Sequence, residues 1–175
     1  MISALGVKVT TTQPKTITTG TSGSPVAVVE IPMPVSEDSV WQWRRDFEAN
    51  GSSGGNARVH TRTQLHIGRW PGDVENAAQV AARLMDNAAR HSSPPPRARL
   101  GLRLAVIATG ELLIEVIDPL PDFPNFTEAV TWRPTEGQPA RGLWVARHFG
   151  ARLSYAVADD RRFKTVQALI PGTLV

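Results

Sequence analysis

The residues best suited to do chemistry fall in three segments. One closes a strongly periodic stretch, Arg83-Leu84-Met85-Asp86-Asn87-Ala88-Ala89-Arg90-His91. The second is Asp118, directly after the apolar run Leu112 to Ile117. The third is Gly137-Gln138-Pro139-Ala140-Arg141-Gly142-Leu143-Trp144, where a loop becomes a short helix. An ionised carboxylate only accepts hydrogen bonds, so beside an apolar wall it selects ligands that bring a donor. A glycine at a helix start lets backbone N–H groups approach an anion, and the helix dipole favours that charge. Arg141 can add a charge-assisted contact. Each residue also has a plain structural alternative. Asn87 can decorate or end its helix, Asp118-Pro119 can start a turn, Gly142 can mark an ordinary helix start, and Leu143, Trp144 and Phe149 read as core.

Other enzyme templates fail. No GxxxxGK[ST], no GxGxxG after a strand, no HExxH and no GxSxG occurs, and nothing positively supports a Ser–His–Asp site. With no cysteine among 175 residues, disulfide scaffolds, thiolate metal sites and cysteine nucleophiles are excluded. The formal net charge of +3 first suggests nucleic acid. However, the basic residues are scattered, and Asp159 and Asp160 adjoin the cluster Arg161, Arg162 and Lys164, so no basic stripe sits on a reading element. No direct nucleic-acid contact is expected. No apolar run reaches the roughly 18–20 residues that span a bilayer, and Met1 to Val9 lacks the features of a secretory signal. The expectation is a cytoplasmic protein without a membrane partner.

The elements that must position these residues follow from periodicity. Residues 8–24 are rich in threonine, serine and glycine, so residues 1–24 read as a flexible tail and 25–175 as a single domain. Val26 to Ile31 reads as a strand. Ser39 with Gln42 fits a capping box, and Val40, Trp43 and Phe47 share one helical face. Asn50 to Asn56 reads as a loop. Residues 57–69 alternate with period two, which predicts a strand with His60 and His66 on its solvated side. Asp73 is the predicted N-cap of a long amphipathic helix carrying Val74, Ala77, Ala78, Ala81, Leu84, Met85 and Ala88. Leu100 to Ile107 and Glu111 to Ile117 form a hairpin over Thr109-Gly110. A proline-rich loop runs from Asp118 to about Ala140. A short helix from Gly142 to His148 ends at Gly150, and Ala151 to Val157 pairs with Phe163 to Ile170. The sum is an α/β two-layer sandwich, its sheet mixed but mostly antiparallel and covered on one face by helices.

In this order the three segments resemble the GHKL family of ATP-binding domains, shared by histidine kinases, Hsp90-type ATPases and anti-sigma-factor kinases. The likeness is strongest to stand-alone actinobacterial ATP-binding proteins similar to the anti-sigma kinases, and it covers roughly residues 57–171. It implies a Bergerat-type fold with ATP or ADP and magnesium as cofactors. By resemblance Asn87 matches the N-box asparagine that holds magnesium, and an amide oxygen is a suitable hard ligand for that ion. Asp118 resembles the aspartate that accepts from the adenine amino group, although Asp118-Pro119-Leu120-Pro121 replaces the family's DxGxG pattern. Arg141-Gly142-Leu143 resembles the second glycine box at the phosphates.

Arg83 is the most informative departure. Four residues before the asparagine, active members carry a glutamate as general base, and an arginine cannot take a proton. Arg83 lies one turn from Asn87 on a similar face, where it can contact phosphate instead. Asp86 points about 100° away around the helix and is expected to pair with Arg90. The resemblance therefore implies nucleotide-dependent protein binding with little or no turnover. The partner would be a sigma factor, an anti-sigma antagonist or a helix-turn-helix regulator, and family analogy permits a homodimer. The alternatives are an active serine/threonine kinase and a nucleotide-free scaffold.

Overall fold

A computed structural model of the chain describes residues 39–91, 98–139 and 142–172. The elements are β1 (Ser39–Glu48), α1 (Ser53–Ile67), α2 (Val74–His91), β2 (Arg99–Ile107), β3 (Leu112–Asp118), α3 (Phe126–Thr131), α4 (Leu143–His148), β4 (Arg152–Val157) and β5 (Lys164–Ile170). The predicted tail and the predicted strand Val26 to Ile31 lie outside the described residues. The fold is α+β. Five strands form one sheet in the order β1-β2-β3-β5-β4, with every described neighbour antiparallel rather than mixed. With four helices this arrangement is compatible with a two-layer sandwich.

α2 forms as its pattern predicts. The Asn76 N–H donates to Asp73 Oδ1 at 2.9 Å, satisfying a donor that the helix start leaves open. The helix then buries Ala77, Val80, Ala81, Leu84, Met85 and Ala88 against Leu102, Leu104, Leu112, Ile114 and Val116 of the sheet. β2 and β3 turn at Thr109-Gly110, where Gly110 takes the positive φ of +82° that the turn needs.

Two predicted elements are overturned. Residues 39–48 are a strand, not a helix. Trp41, Trp43 and Phe47 alternate with Gln42, Arg44, Asp46 and Glu48, and aromatic side chains suit a pleated, half-buried surface. The spacing of Val40, Trp43 and Phe47 imitated a helical face. Residues 57–67 are helix, not strand. Ala57, Thr61 and Leu65 are buried at i, i+4 and i+8, which makes a narrow stripe against α2. The predicted loop at Asn50 to Asn56 is instead partly the first turn of α1. Gly54 leaves room there for the Asp86 carboxylate, whose Oδ1 would lie 2.1 Å from a Cβ at this position. Asp86 accordingly packs against α1, and no ion pair joins it to Arg90 among the described residues.

The opposite face of the sheet carries a small apolar patch, Ala105, Leu113 and Leu169. Beside it runs a polar ladder. Arg103 bonds Glu115, Gln167 Nε2 donates to Glu115 Oε1 at 2.9 Å, and Ser154 Oγ donates to Gln167 Oε1 at 3.0 Å. Glu115, Gln167 and Ser154 are all buried, so these bonds satisfy polar groups that would otherwise be costly. Among the described residues no helix is long and apolar enough to cross a membrane.

Candidate functional site

The site is assembled where β3 and β5 end together. Asp118 is the last residue of β3 and lies directly across from Lys164, the first of β5. Lys164 Nζ donates to Asp118 Oδ2 at 2.7 Å, and the side chains are 5% and 1% exposed respectively. This is a buried ion pair, whose stability depends on each charge keeping its partner. Pro119 breaks the strand, and the chain folds back so that the Leu120 N–H donates to Asp118 Oδ1 at 2.9 Å. The Leu120 carbonyl in turn accepts from Lys164 Nζ at 2.7 Å. Asp118 is thus the turn residue that its structural alternative described, and a buried charge as well.

A cavity of about 330 Å³ opens beside this pair. Its wall comes from α2 through Asn87, from the strand ends through Asp118 and Lys164, and from the segment after β3 through Asp122, Phe123, Pro124, Asn125 and Ala129. That segment was predicted as loop, yet it contains α3, which inserts Phe126 and Val130 into the core. Phe123 packs edge-on to Phe126, with centroids 5.1 Å apart, and Tyr155 covers Phe126 at 4.7 Å. The wall is therefore anchored by aromatic packing. Phe123 also lies 5.7 Å from Lys164 Nζ, within the range of a cation–π contact.

Asn87 and Asp118 were singled out from sequence, and the fold brings both to one cavity. Arg83 is not part of its lining. Its Nε is buried without a hydrogen-bond partner, and the side chain makes no ion pair among the described residues. Arg141 lies outside the described residues. Gly142 precedes α4 with φ +60° and ψ −144°, a backbone that excludes other residues, and no atom lies within 4 Å of a Cβ built there. The Leu143 side chain is buried in the core, so only its backbone could serve a ligand. Trp144 stacks half-buried on His148, with centroids 4.9 Å apart.

Lys164 was missed, because in sequence it belongs to a basic cluster with Arg161 and Arg162. A signal was present: it is the only lysine after Lys15 in a chain that otherwise uses arginine. His60 also differs from expectation. It lies on α1 rather than a strand, half-buried over Trp43 and Phe47 with ring centroids 6.0 and 5.5 Å away. That burial, and then the nearby Arg45 guanidinium, lower its pKa from 6.5.

The lining offers the Asn87 and Asn125 amides, the Asp118 and Asp122 carboxylates and the Lys164 ammonium. The cavity volume is at the small end of ligand pockets, which run about 300–1,000 Å³. No cluster of three or more His, Cys, Asp or Glu side chains that could hold a metal occurs among the described residues. A cation beside Asn87 would therefore draw most of its ligands from phosphate oxygens and water, as magnesium commonly does. Compared with protein-family models and with curated proteins, the chain has no match.

Proposed function

We propose that the chain is an ATP-binding regulatory protein of the GHKL type, with a Bergerat-type fold and a cytoplasmic setting. It acts through nucleotide-dependent contact with a protein partner, with little or no turnover. The carrying observation is that Asn87 and Asp118, distant in sequence, line one cavity walled by the aromatic segment after β3. Asn87 would hold magnesium, which when bound neutralises phosphate charge. Asp118 would accept from the base, and Phe123 offers a ring face beside it. Arg83, cationic and without an ion pair among the described residues, is suited to phosphate, as by resemblance is Arg141, which precedes Gly142 in sequence. The segment 118–139 forms much of the wall, so an occupied cavity would alter the surface shown to a sigma factor, an anti-sigma antagonist or a helix-turn-helix regulator.

Calorimetry with ATP, with and without magnesium, tests this reading. Saturable binding is expected, strengthened by magnesium and weakened by Asn87→Ala. Asp118→Asn is the better probe of the base site, since it keeps an acceptor for the Leu120 N–H. No binding at millimolar ATP would overturn the proposal.

A further inference from the structure

A second cavity, of about 310 Å³, lies where the chain leaving α3 meets the outer side of α4. Arg133, Pro134, Trp144, Arg147 and His148 line it, and it shares no lining residue with the cavity of Asn87 and Asp118. Trp144, Arg147 and His148 stand at i, i+3 and i+4, so they occupy one side of α4. Leu143 and Ala146 enter the core from the other side. The Trp144 and His148 rings stack with centroids 4.9 Å and planes 15° apart. Arg147 is half-buried and fixed in direction, since its Nη1 donates at 2.8 Å to the Val130 carbonyl, an acceptor that the end of α3 leaves open. A guanidinium carries five N–H donors, so most of those on Arg147 remain unspent. Arg133 is exposed, and neither arginine has an ion pair among the described residues. Elsewhere Arg58 and Arg62 share Glu75, Arg103 takes Glu115 and Arg152 takes Glu111. No carboxylate lines this cavity, although Glu128 and Glu136 stand on either side of Arg133 in sequence.

We infer that this cavity is a second binding site, for a phosphomonoester carried on a flat ring. The inference goes beyond the nucleotide proposal and does not rest on it. Two guanidiniums gathered in one hollow repel each other, and a bound anion relieves that repulsion. A phosphomonoester brings nearly two negative charges and three acceptor oxygens at neutral pH. It can therefore take a guanidinium fork on one edge and a second cation on another. A carboxylate brings one charge and two oxygens, enough for one fork, and leaves the other arginine without a partner. His148, one helical turn from Trp144, adds a ring nitrogen that can donate to the same anion. Trp144 and Pro134 supply the flat apolar wall on which an attached ring can lie. The same chemistry occurs in a free aryl phosphate and in a phosphorylated tyrosine of another protein.

Proton–nitrogen correlation spectra of the full chain test the site, read at the Trp144 indole N–H, which is assigned by its loss in Trp144→Phe. The probes are phenyl phosphate and benzoate, which share a ring and differ in the anion, at about pH 7.5, where the phosphate is a dianion. Phenyl phosphate should shift the Trp144 signal saturably, with benzoate weaker by at least about fivefold, because charge-assisted hydrogen bonds are lost. Arg133→Gln should weaken phenyl phosphate by at least about fivefold as well. Arg133 is exposed and has no ion pair to lose, so this variant keeps the fold, whereas Arg147→Gln would also cut the bond to Val130. A blocked Ala-phosphotyrosine-Ala peptide separates the sources: tighter binding than phenyl phosphate supports the site and assigns it to a phosphorylated chain, and equal or weaker binding supports it and assigns it to a small molecule. No shift at Trp144 by about 10 mM phenyl phosphate, a concentration that reveals even millimolar affinity, would overturn the inference. So would a smaller than fivefold difference for benzoate or for Arg133→Gln. The result is independent of whether ATP binds beside Asn87.

Discussion

Cutting the Asp118–Lys164 pair from one side should be far more damaging than removing it whole. With 1% and 5% of the two side chains exposed, either charge left alone is held out of water. Asp118→Ala also strips the acceptor from the Leu120 N–H, 2.9 Å away. Breaking a buried pair from one side costs about 3–5 kcal/mol. At about 2–4 °C per kcal/mol for a chain of this size, that lowers Tm by about 6–20 °C. The double variant Asp118→Asn with Lys164→Met removes both charges, keeps an oxygen for Leu120 and nearly preserves volume. Its cost should fall well below the sum of the two single changes, with a coupling of about 2 kcal/mol or more. Urea unfolding followed by circular dichroism at pH 7 measures all four corners of the cycle. Single changes below about 1 kcal/mol that add without coupling would mean the pair behaves as an exposed one, and the burial argument would fail with it.

Two further outcomes follow from local geometry. His60 has its pKa lowered from 6.5 by burial and then by Arg45, so the unfolded chain takes up a proton that the folded chain resists. Its contribution is complete above about 6.5 and is lost as pH falls through the folded-state value. His60→Gln should therefore lose less stability than wild type between about pH 7.5 and 5, and parallel melting profiles would refute this. At Gly142 a new Cβ meets no atom within 4 Å, yet φ +60° with ψ −144° strains any other residue. Gly142→Ala should cost about 1–3 kcal/mol through the backbone alone, and an unchanged urea midpoint would contradict that assignment.

What could be read from sequence depended on whether local pattern and long-range packing agreed. In α2 and in the β2–β3 and β4–β5 hairpins they did, since apolar period, cap and turn residues point the same way. In α1 they did not. Ala57, Val59, Thr61, Thr63, Leu65 and Ile67 alternate along the chain, but only Ala57, Thr61 and Leu65 are buried, while Val59 and Ile67 are 57% and 66% exposed. A stripe at every fourth residue is contained within a period of two, so the alternation could not separate strand from helix. Gly54 and Gly55 added to the error, since two glycines argue against a helix start unless a neighbour such as Asp86 requires the space. Asn87 and Asp118 were legible as candidates because one stands in the last turns of a well-patterned helix and the other closes a well-patterned strand. Their partner Lys164 was not, because its place opposite Asp118 is set by the β3–β5 register, and no local pattern encodes that pairing.

The same geometry bears on turnover. General-base catalysis needs a group within reach of the attacking atom and able to take its proton. Asp118 is engaged by Lys164 and by the Leu120 N–H. Asp122, also on the cavity wall, is exposed and lies 3.5 Å from an Arg161 guanidinium nitrogen. Asp86 is turned against Gly54 at the start of α1. One helical turn before Asn87, where the resemblance implies a glutamate, stands Arg83, a residue that holds its proton. Each of these carboxylates is thus already held by another group, in keeping with the proposed binding without turnover. A protein that binds without turnover changes state with ligand concentration, since occupancy stabilises the bound form by RT ln(1 + [L]/Kd). On the proposed function, control would then lie in nucleotide supply and in the partner's preference for one occupancy state, with no hydrolysis step needed to reset it.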